Sequence, residues 1–291
     1  MRYSAAILFL SVASAWADER PLTWEPARAV QIEEVVSSGV LAPTDPHPAF
    51  FDFFSDAILE SDGSVVFVAN SANQGFSKLG REGVYGIDRE GRPSAFVQKG
   101  DALGEGRSAV TAITALEMRD GVPLARCLLE DGKEEEIVLG NVASDGEVSA
   151  TSAQRRARHV TNDGRSIHRI GIDGARQLVA DLTTRISGLF EGTFTNFDER
   201  AVDFGSWVVF SGSAGTYEGL FAMNMETSRL YVLLDNRALL GDRRVEDFQI
   251  SESPRSGADF AVTVSFTDGG SCIYIFRFAD SEGNLLFGGK N

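Results

Sequence analysis

The stretch Asp62-Gly63-Ser64-Val65-Val66-Phe67-Val68-Ala69 sets the pattern from which the fold of this chain is predicted. An Asp-Gly pair favours a tight turn, because Gly accepts a positive φ and Asp can hydrogen-bond its own backbone. The β-branched and aromatic residues behind the pair are typical of a strand. The sequence therefore predicts a reversal of the chain that feeds directly into a β-strand.

The same pattern of a turn followed by an apolar strand returns along the whole chain. Further turns begin at Asp120, Asp163, Gly205 and Ser256, at intervals of about 42 to 58 residues. Repeats of this length are typical of sheet-based arrays such as propeller blades. With the second turns and third strands that follow, the pattern predicts antiparallel units at residues 50–101, 108–142, 155–182, 194–235 and 245–280.

Helical periodicity is nearly absent from the sequence. The best helix candidate, residues 28–36, alternates in a way that suits an N-terminal strand, which could complete the last sheet and close a ring. We therefore predict an all-β fold, a β-propeller-like array of about five small antiparallel sheets in one domain over residues 18–291. Two β-sandwich domains, separated near Ala150, are the alternative.

The first and fourth units share an ordered set of residues. The first unit has Phe51, Phe54, Asp56, Val65-Val66-Phe67 and Gly83-Val84-Tyr85; the fourth has Phe194, Phe197, Glu199, Val208-Val209-Phe210 and Gly219-Leu220-Phe221. In these motifs the chain resembles a group of exported bacterial tandem-repeat proteins with propeller-like predicted folds. The other three units depart from the motif, which leaves the number of blades open. The resemblance implies fold and export, and it implies no activity.

The N-terminus has the order of features of a secretory signal peptide. Arg2 precedes the short apolar run 5–13, and Ala15 and Ala17 are the small residues that a signal peptidase recognises. We expect cleavage after Ala17, so that residues 1–17 are removed and the protein is periplasmic or extracellular. No later stretch is long and apolar enough for a membrane helix, so no membrane insertion is expected.

Charge and cysteine content restrict the possible partners and bonds. The formal net charge of −15 argues against nucleic acid or an anionic membrane surface as partner. Cys127 and Cys272 both lie in apolar, strand-like runs. A disulfide between them and two buried free thiols are both compatible with the sequence.

Acidic residues beside aromatic residues are the candidate functional residues. Asp52, Asp56, Asp198 and Glu199 lie in two similar segments, where carboxylates could hold Ca²⁺ or act on a sugar as acid and base. Roles in turns and caps are the other interpretation, since no calcium-loop spacing is present. We predict no cofactor, because no nucleophile motif, phosphate-binding loop or metal-ligand spacing accompanies them.

The function predicted from these features is that of an exported, monomeric binding or interaction scaffold without enzymatic activity. Its ligand, a glycan or a protein, would dock on loops at the mouth of a central channel. The alternative is a carbohydrate-active hydrolase or lyase that uses carboxylates around that channel.

Overall fold

The computed structural model describes residues 30–43, 49–60, 62–72, 81–103, 108–119, 122–139, 159–171, 173–186, 192–251 and 259–278. Within these ranges the chain forms β-strands joined by turns and bends, without helix, and no segment there qualifies as a membrane-crossing helix. The predicted all-β class is confirmed. The proposed cleavage residues Ala15 and Ala17 lie outside the described residues.

The strands form small antiparallel sheets that follow one another along the chain. Sheet 1 contains β2 (Leu41–Ala42), β3 (Ala49–Leu59), β4 (Val65–Ala72), β5 (Arg81–Ile87) and β6 (Pro93–Gln98). Sheet 2 contains β7 (Val110–Arg119), β8 (Val122–Leu129) and β9 (Glu134–Val138), and sheet 3 contains β10 (His159–Asn162), β11 (Ser166–Ile170) and β12 (Arg176–Asp181). The ribbon of β13 (Arg185–Ile186) and β14 (Gly192–Thr193) precedes sheet 4, which contains β15 (Asn196–Phe204), β16 (Trp207–Ala214), β17 (Tyr217–Asn224) and β18 (Arg229–Asp235). Sheet 5 contains β19 (Leu239–Leu240), β20 (Arg243–Ile250), β21 (Asp259–Phe266), β22 (Ser271–Phe278) and β1 (Val30–Ser37). The prediction of about five small sheets is thus confirmed.

The N-terminal strand β1 completes the last sheet. It pairs antiparallel with β22, from Val30 opposite Phe278 to Ser37 opposite Cys272. The predicted strand within residues 28–36 therefore exists and ties the start of the described chain to its end. Strands from both halves of the chain share this sheet, which favours a single array over two β-sandwiches separated near Ala150.

The apolar core lies between successive sheets. In β4, Val65 and Phe67 face sheet 5, whereas Val66 and Val68 face sheet 2. A second pair of cores joins sheet 5 to sheet 4 and sheet 4 to sheet 3. A central strand covered on both faces needs apolar residues on both, which explains why the β4 sequence is a continuous apolar run instead of an alternating one.

The matched aromatic residues of the first and fourth units form two equivalent clusters. Sheet 1 has Phe51, Phe54, Phe67 and Tyr85, and sheet 4 has Phe194, Phe197, Phe210 and Phe221; we call each cluster a tetrad. Edge-on contact joins Phe51 to Tyr85 at 4.9 Å between centroids and 85° between planes, and Phe194 to Phe221 at 4.8 Å and 84°. The stacked pairs also have similar geometry. Phe67 and Tyr85 have centroids 6.1 Å apart and planes at 27°, and Phe210 and Phe221 have centroids 5.8 Å apart and planes at 26°.

Both tetrads face the sheet that comes before their own in a cyclic order. The sheet 4 tetrad packs against Ile167 and Val179 of sheet 3. The sheet 1 tetrad packs against Ala261 and Ile273 of sheet 5, the last sheet of the chain. Two units that each pack on the preceding sheet in the same way are consistent with a propeller-like array.

The Gly-apolar-aromatic motif reflects close approach of a ring to the backbone. A Cβ built on Gly219 would lie 2.6 Å from Cζ of Phe221, and one on Gly83 would lie 3.0 Å from Cε2 of Tyr85. Both rings are fully buried and are held by the rest of their tetrads. Glycine is therefore needed at these positions for space.

Gly219→Ala is expected to lower the free energy of unfolding by about 1–3 kcal/mol, because the added methyl group overpacks a ring that cannot move. Gly86→Ala is the matched control in another central strand. Its Cβ would meet Cε2 of Phe96 at 2.7 Å, but that ring is exposed and can swing away. Urea unfolding of the two variants measures the difference, and equal losses would contradict the explanation.

The predicted Asp-Gly turn at Asp62 forms with the expected hydrogen bonds, whereas the predicted turns at Asp120 and Ser256 lie outside the described residues. Oδ1 of Asp62 accepts from the backbone N–H of Ser64 at 2.8 Å, and Gly63 has a φ of +91°. Asp131 accepts from the N–H of Lys133 at 3.1 Å in the same way. The carboxylates of Asp62 and Asp131 thus accept hydrogen bonds from the backbone of their own turns and are not candidates for a ligand site.

Candidate binding site at the junction of the first strands

The candidate acidic residues lie on the first long strands of sheets 1 and 4. In β3, the pairing register shifts between Phe51 and Phe53 and again between Phe54 and Ala57, so that Asp52 and Asp56 both fall in β-bulges. In β15, the register shifts between Phe197 and Ala201, and this irregularity contains Asp198 and Glu199.

The bulges separate the acidic residues from the core aromatics. An extra residue in a strand lets the neighbouring side chains keep their face while the inserted residue turns away. Phe51 and Phe54 are buried in the tetrad, whereas Asp52 is exposed and Asp56 is half-buried. Asp198 is exposed, and its backbone carbonyl accepts a hydrogen bond from the side chain of Asn162.

Asp56 meets a cation that comes from a different sheet. Nη2 of Arg200, on β15 of sheet 4, lies 3.0 Å from Oδ1 of Asp56, on β3 of sheet 1. Sheet 5 packs between these two sheets. Their first long strands therefore approach each other at one edge of the array, as radially arranged sheets would.

The first long strand of sheet 5, β20, also contacts Arg200. Nη1 of Arg200 donates to the backbone carbonyl of Ile250 at 3.2 Å. With the Gln249 amide turned so that its oxygen faces the guanidinium, that oxygen accepts from Nη1 at 3.0 Å and Nη2 at 3.2 Å. We call Asp56, Arg200 and Gln249 the first-strand junction.

The junction is open to solvent and contributes little to stability. The side chain of Arg200 is 43% exposed and that of Asp56 is 31% exposed. An ion pair with this exposure stabilises a protein by about 0–1 kcal/mol, because water screens the charges. The carboxylate and the guanidinium can therefore be contacted from outside the protein.

The acidic residues do not assemble into a metal site in the part of the chain that the structure describes. No group of three or more His, Cys, Asp or Glu side chains is placed there to hold a metal ion. Asp56 enters the junction with Arg200, while Asp52 is exposed elsewhere on β3. The side chain of Glu199 lies outside the described set.

Arg200 and Gln249 were not predicted from the sequence. Arg200 directly follows Asp198 and Glu199, and a basic residue next to this acidic pair is the feature of the sequence from which it could have been identified. Gln249 has no comparable signal, because its role depends on how β20 lies against β3 and β15.

The two cysteines are free and lie in different cores. Cys127 packs between sheets 1 and 2, and Cys272 packs between sheets 4 and 5. Burial raises the pKa of the Cys127 thiol to about 11 and also raises the pKa of the Cys272 thiol. Thiols with raised pKa are poor nucleophiles, so neither cysteine is a candidate catalytic residue; Sγ of Cys272 accepts a hydrogen bond from Nη1 of Arg243 at 3.3 Å.

Comparison with known proteins gives no family. No protein-family model matches the chain, and no curated protein matches it. Among solved structures, a hypothetical protein from Leishmania major is 8% identical with a TM-score of 0.22, and covers 80% of this chain and 69% of that chain. A putative TolB from Agrobacterium tumefaciens is 16% identical with a TM-score of 0.25, and covers 79% of this chain and 91% of that chain. At these TM-scores neither similarity carries an argument about this protein.

Proposed function

We propose that this chain is an exported binding scaffold, without enzymatic activity, that takes its ligand at the first-strand junction. The observation that carries the proposal is the convergence of Asp56, Arg200 and Gln249 from the first long strands of three different sheets. Binding sites commonly combine a rigid scaffold with a few polar groups that point to one place. Here the sheets supply the scaffold and the junction supplies the polar groups.

Export rests on the sequence. The signal-like residues 1–17 and the resemblance to exported tandem-repeat proteins both favour a periplasmic or extracellular location. The ligand class on this proposal is a glycan or a protein, and the chain acts as a monomer.

Arg200→Gln tests the site, with Arg119→Gln as the matched control. Arg119, on sheet 2, is a similarly exposed arginine in an ion pair with Glu136. A ligand found by thermal shift in a library of oligosaccharides and peptides is expected to bind Arg200→Gln at least 5-fold more weakly than the wild type. Arg119→Gln should bind within 2-fold of the wild type, since its charge lies outside the junction.

The measurement uses the processed protein from a bacterial host, and an intact mass starting at Asp18 checks the cleavage site. Equal affinity of both arginine variants for every ligand found would contradict a site at the junction. Turnover of a bound oligosaccharide would contradict the absence of enzymatic activity. A screen in which no compound raises the melting temperature would contradict the scaffold proposal itself.

A further inference from the structure

Sheets 1, 4 and 5 each contain four long strands, whereas the described residues give sheets 2 and 3 only three. In sheets 1 and 4 the fourth strand, β6 or β18, directly follows the third along the chain. In sheet 5 the fourth position, next to β22, is taken by β1 from the other end of the described chain. A fourth strand in this array can therefore come from outside the unit that it completes. In sheet 2 the third strand, β9, forms the edge among the described strands.

Each of these fourth strands buries an apolar side chain against a neighbouring sheet. Val97 of β6 lies in the core between sheets 1 and 2, Leu233 of β18 in the core between sheets 4 and 5, and Val36 of β1 in the core between sheets 5 and 1. On β9, Ile137 packs on the same core as Val97 but is only half-buried. A strand added to β9 would place a side chain beside Ile137 and extend this core.

The outer edge of β9 presents backbone groups that point away from β8. The N–H of Leu129 donates to the carbonyl of Lys133 at 2.8 Å, and the register of the two strands continues from there without a shift. In an antiparallel pair, residues that bond to the partner strand alternate with residues whose N–H and C=O point outwards. The residues of β9 that point outwards are therefore Glu134, Glu136 and Val138. Within the part of the chain that the structure describes, no strand pairs with them from that side.

The side chains of β9 restrict what can pair with this edge. Its sequence is Glu-Glu-Glu-Ile-Val, and the side chains of Glu134 and Glu136 are exposed. Glu136 forms an ion pair with Arg119 at 2.7 Å that is weak because water screens it, and Glu134 makes no ion pair with another described residue. Like charges directly opposite each other destabilise a strand pair, whereas opposite charges stabilise it. The β9 strand of a second copy is thus disfavoured as a partner, and a basic residue is favoured opposite each glutamate.

We propose that the outer edge of β9 binds an extended segment of a partner protein, which adds to sheet 2 as its fourth, antiparallel strand. The segment has two β-branched residues followed by three basic residues. This order places the β-branched pair opposite Val138 and Ile137 and the basic residues opposite the three glutamates. Main-chain hydrogen bonds to an exposed sheet edge supply the affinity of such complexes, and the side chains supply their specificity. This surface lies on sheet 2, away from the first-strand junction, so the inference goes beyond the proposed function.

The test measures binding of a fluorescein-labelled peptide, Thr-Val-Ile-Lys-Lys-Lys-Thr, to the processed protein by fluorescence anisotropy. The peptide is expected to bind. In its presence the amide hydrogens of Glu134, Glu136 and Val138 should exchange more slowly with solvent, because they then donate to the added strand. Replacing the three lysines by glutamates should weaken binding about 10-fold or more, and added salt should also weaken it.

Two N-methylated peptides separate strand pairing from charge attraction alone. In the antiparallel register, the N–H of the first lysine points at β9 and the N–H of the second lysine points away from it. Methylation of the first nitrogen should weaken binding about 10-fold or more, because it removes a hydrogen-bond donor and blocks close approach of the strands. Methylation of the second should leave the affinity within about 2-fold, since the peptide keeps its charge and every donor that faces β9.

Two protein variants locate the peptide on β9. Val138→Pro removes an outward N–H that β8 does not use, so the edge strand tolerates the change while the added strand loses a donor. Glu134→Lys reverses an exposed charge. Each variant is expected to weaken binding about 5-fold or more and to unfold at nearly the wild-type urea concentration. Leu178→Pro is the matched control: Leu178 is 51% exposed on the edge strand β12, as Val138 is 55% exposed on β9, and its replacement should not change binding.

Several results would overturn the inference. These are no binding of the peptide, equal weakening by the two N-methyl groups, or wild-type affinity in both Val138→Pro and Glu134→Lys. Loss of binding in Arg200→Gln without a change in the β9 variants would also overturn it, because the peptide would then bind at the first-strand junction. A dimer of the protein that Val138→Pro dissociates would overturn it as well, because the strand that pairs with β9 would then come from a second copy.

Discussion

Phe51→Ala and Phe194→Ala are each expected to lower the free energy of unfolding by about 3–5 kcal/mol, the usual cost of removing a buried ring. Each ring touches three others of its tetrad, and both are buried between sheets. The cavity left behind cannot collapse, because the sheets on both sides are held by their own hydrogen bonds. Similar losses are expected because the two tetrads have the same geometry.

Phe53→Ala is the control, since Phe53 lies on the same strand as Phe51 but is 46% exposed. Its replacement should change the free energy of unfolding by no more than about 0.5 kcal/mol. Urea unfolding at constant m-value measures all three variants. A loss for Phe53→Ala as large as that for Phe51→Ala, or a tolerated Phe194→Ala, would mean that the tetrads do not hold the sheets together.

Asp203→Ala is expected to lower the free energy of unfolding by about 3–5 kcal/mol, because it leaves a buried guanidinium without its counter-charge. The side chains of Arg169, on β11, and Asp203, on β15, are only 10% and 6% exposed. Nε of Arg169 donates to Oδ2 of Asp203 at 2.6 Å, and Nη2 donates to Oδ1 at 3.1 Å and to the carbonyl of Gly205. This two-point contact connects sheet 3 to sheet 4.

A double-mutant cycle isolates the interaction from the single losses. The double variant Arg169→Met, Asp203→Leu removes both charges. It should lose much less free energy of unfolding than the sum of the losses in the two single variants, because neither charge is then left buried alone. Glu136→Gln on sheet 2 removes one charge of an exposed ion pair and should leave the unfolding midpoint nearly unchanged. Additive losses in the cycle would show that the two side chains do not interact.

The local elements were predictable because each depends on residues close together in the chain. The Asp62-Gly63 turn and β4 behind it follow from one turn pair and one run of strand-forming residues. The addition of β1 to the last sheet was also predictable, since its alternating sequence suited an edge strand that would close the array. The matching Phe and Gly residues indicated equivalent positions in sheets 1 and 4. They did not indicate that the rings of Tyr85 and Phe221 pack directly against Gly83 and Gly219.

The candidate site was predictable only in part. Asp56 was identified from its place beside Phe54, but Arg200 and Gln249 were not. The bulges in β3, each with one extra residue, and the two extra residues in β15 could not be predicted either, because neither strand has a regular alternation that an insertion would visibly break.

The strands, the turns and the tetrad residues follow from the amino-acid sequence, because backbone preferences and apolar spacing act over fewer than about ten residues. Which charged side chains pair with each other depends instead on the packing of the sheets. Asp56 and Arg200 are 144 residues apart, and Arg169 and Asp203 are 34 residues apart. Such pairs depend on the order in which the sheets pack, and that order is fixed by cores shared between sheets and not by any single segment of the chain.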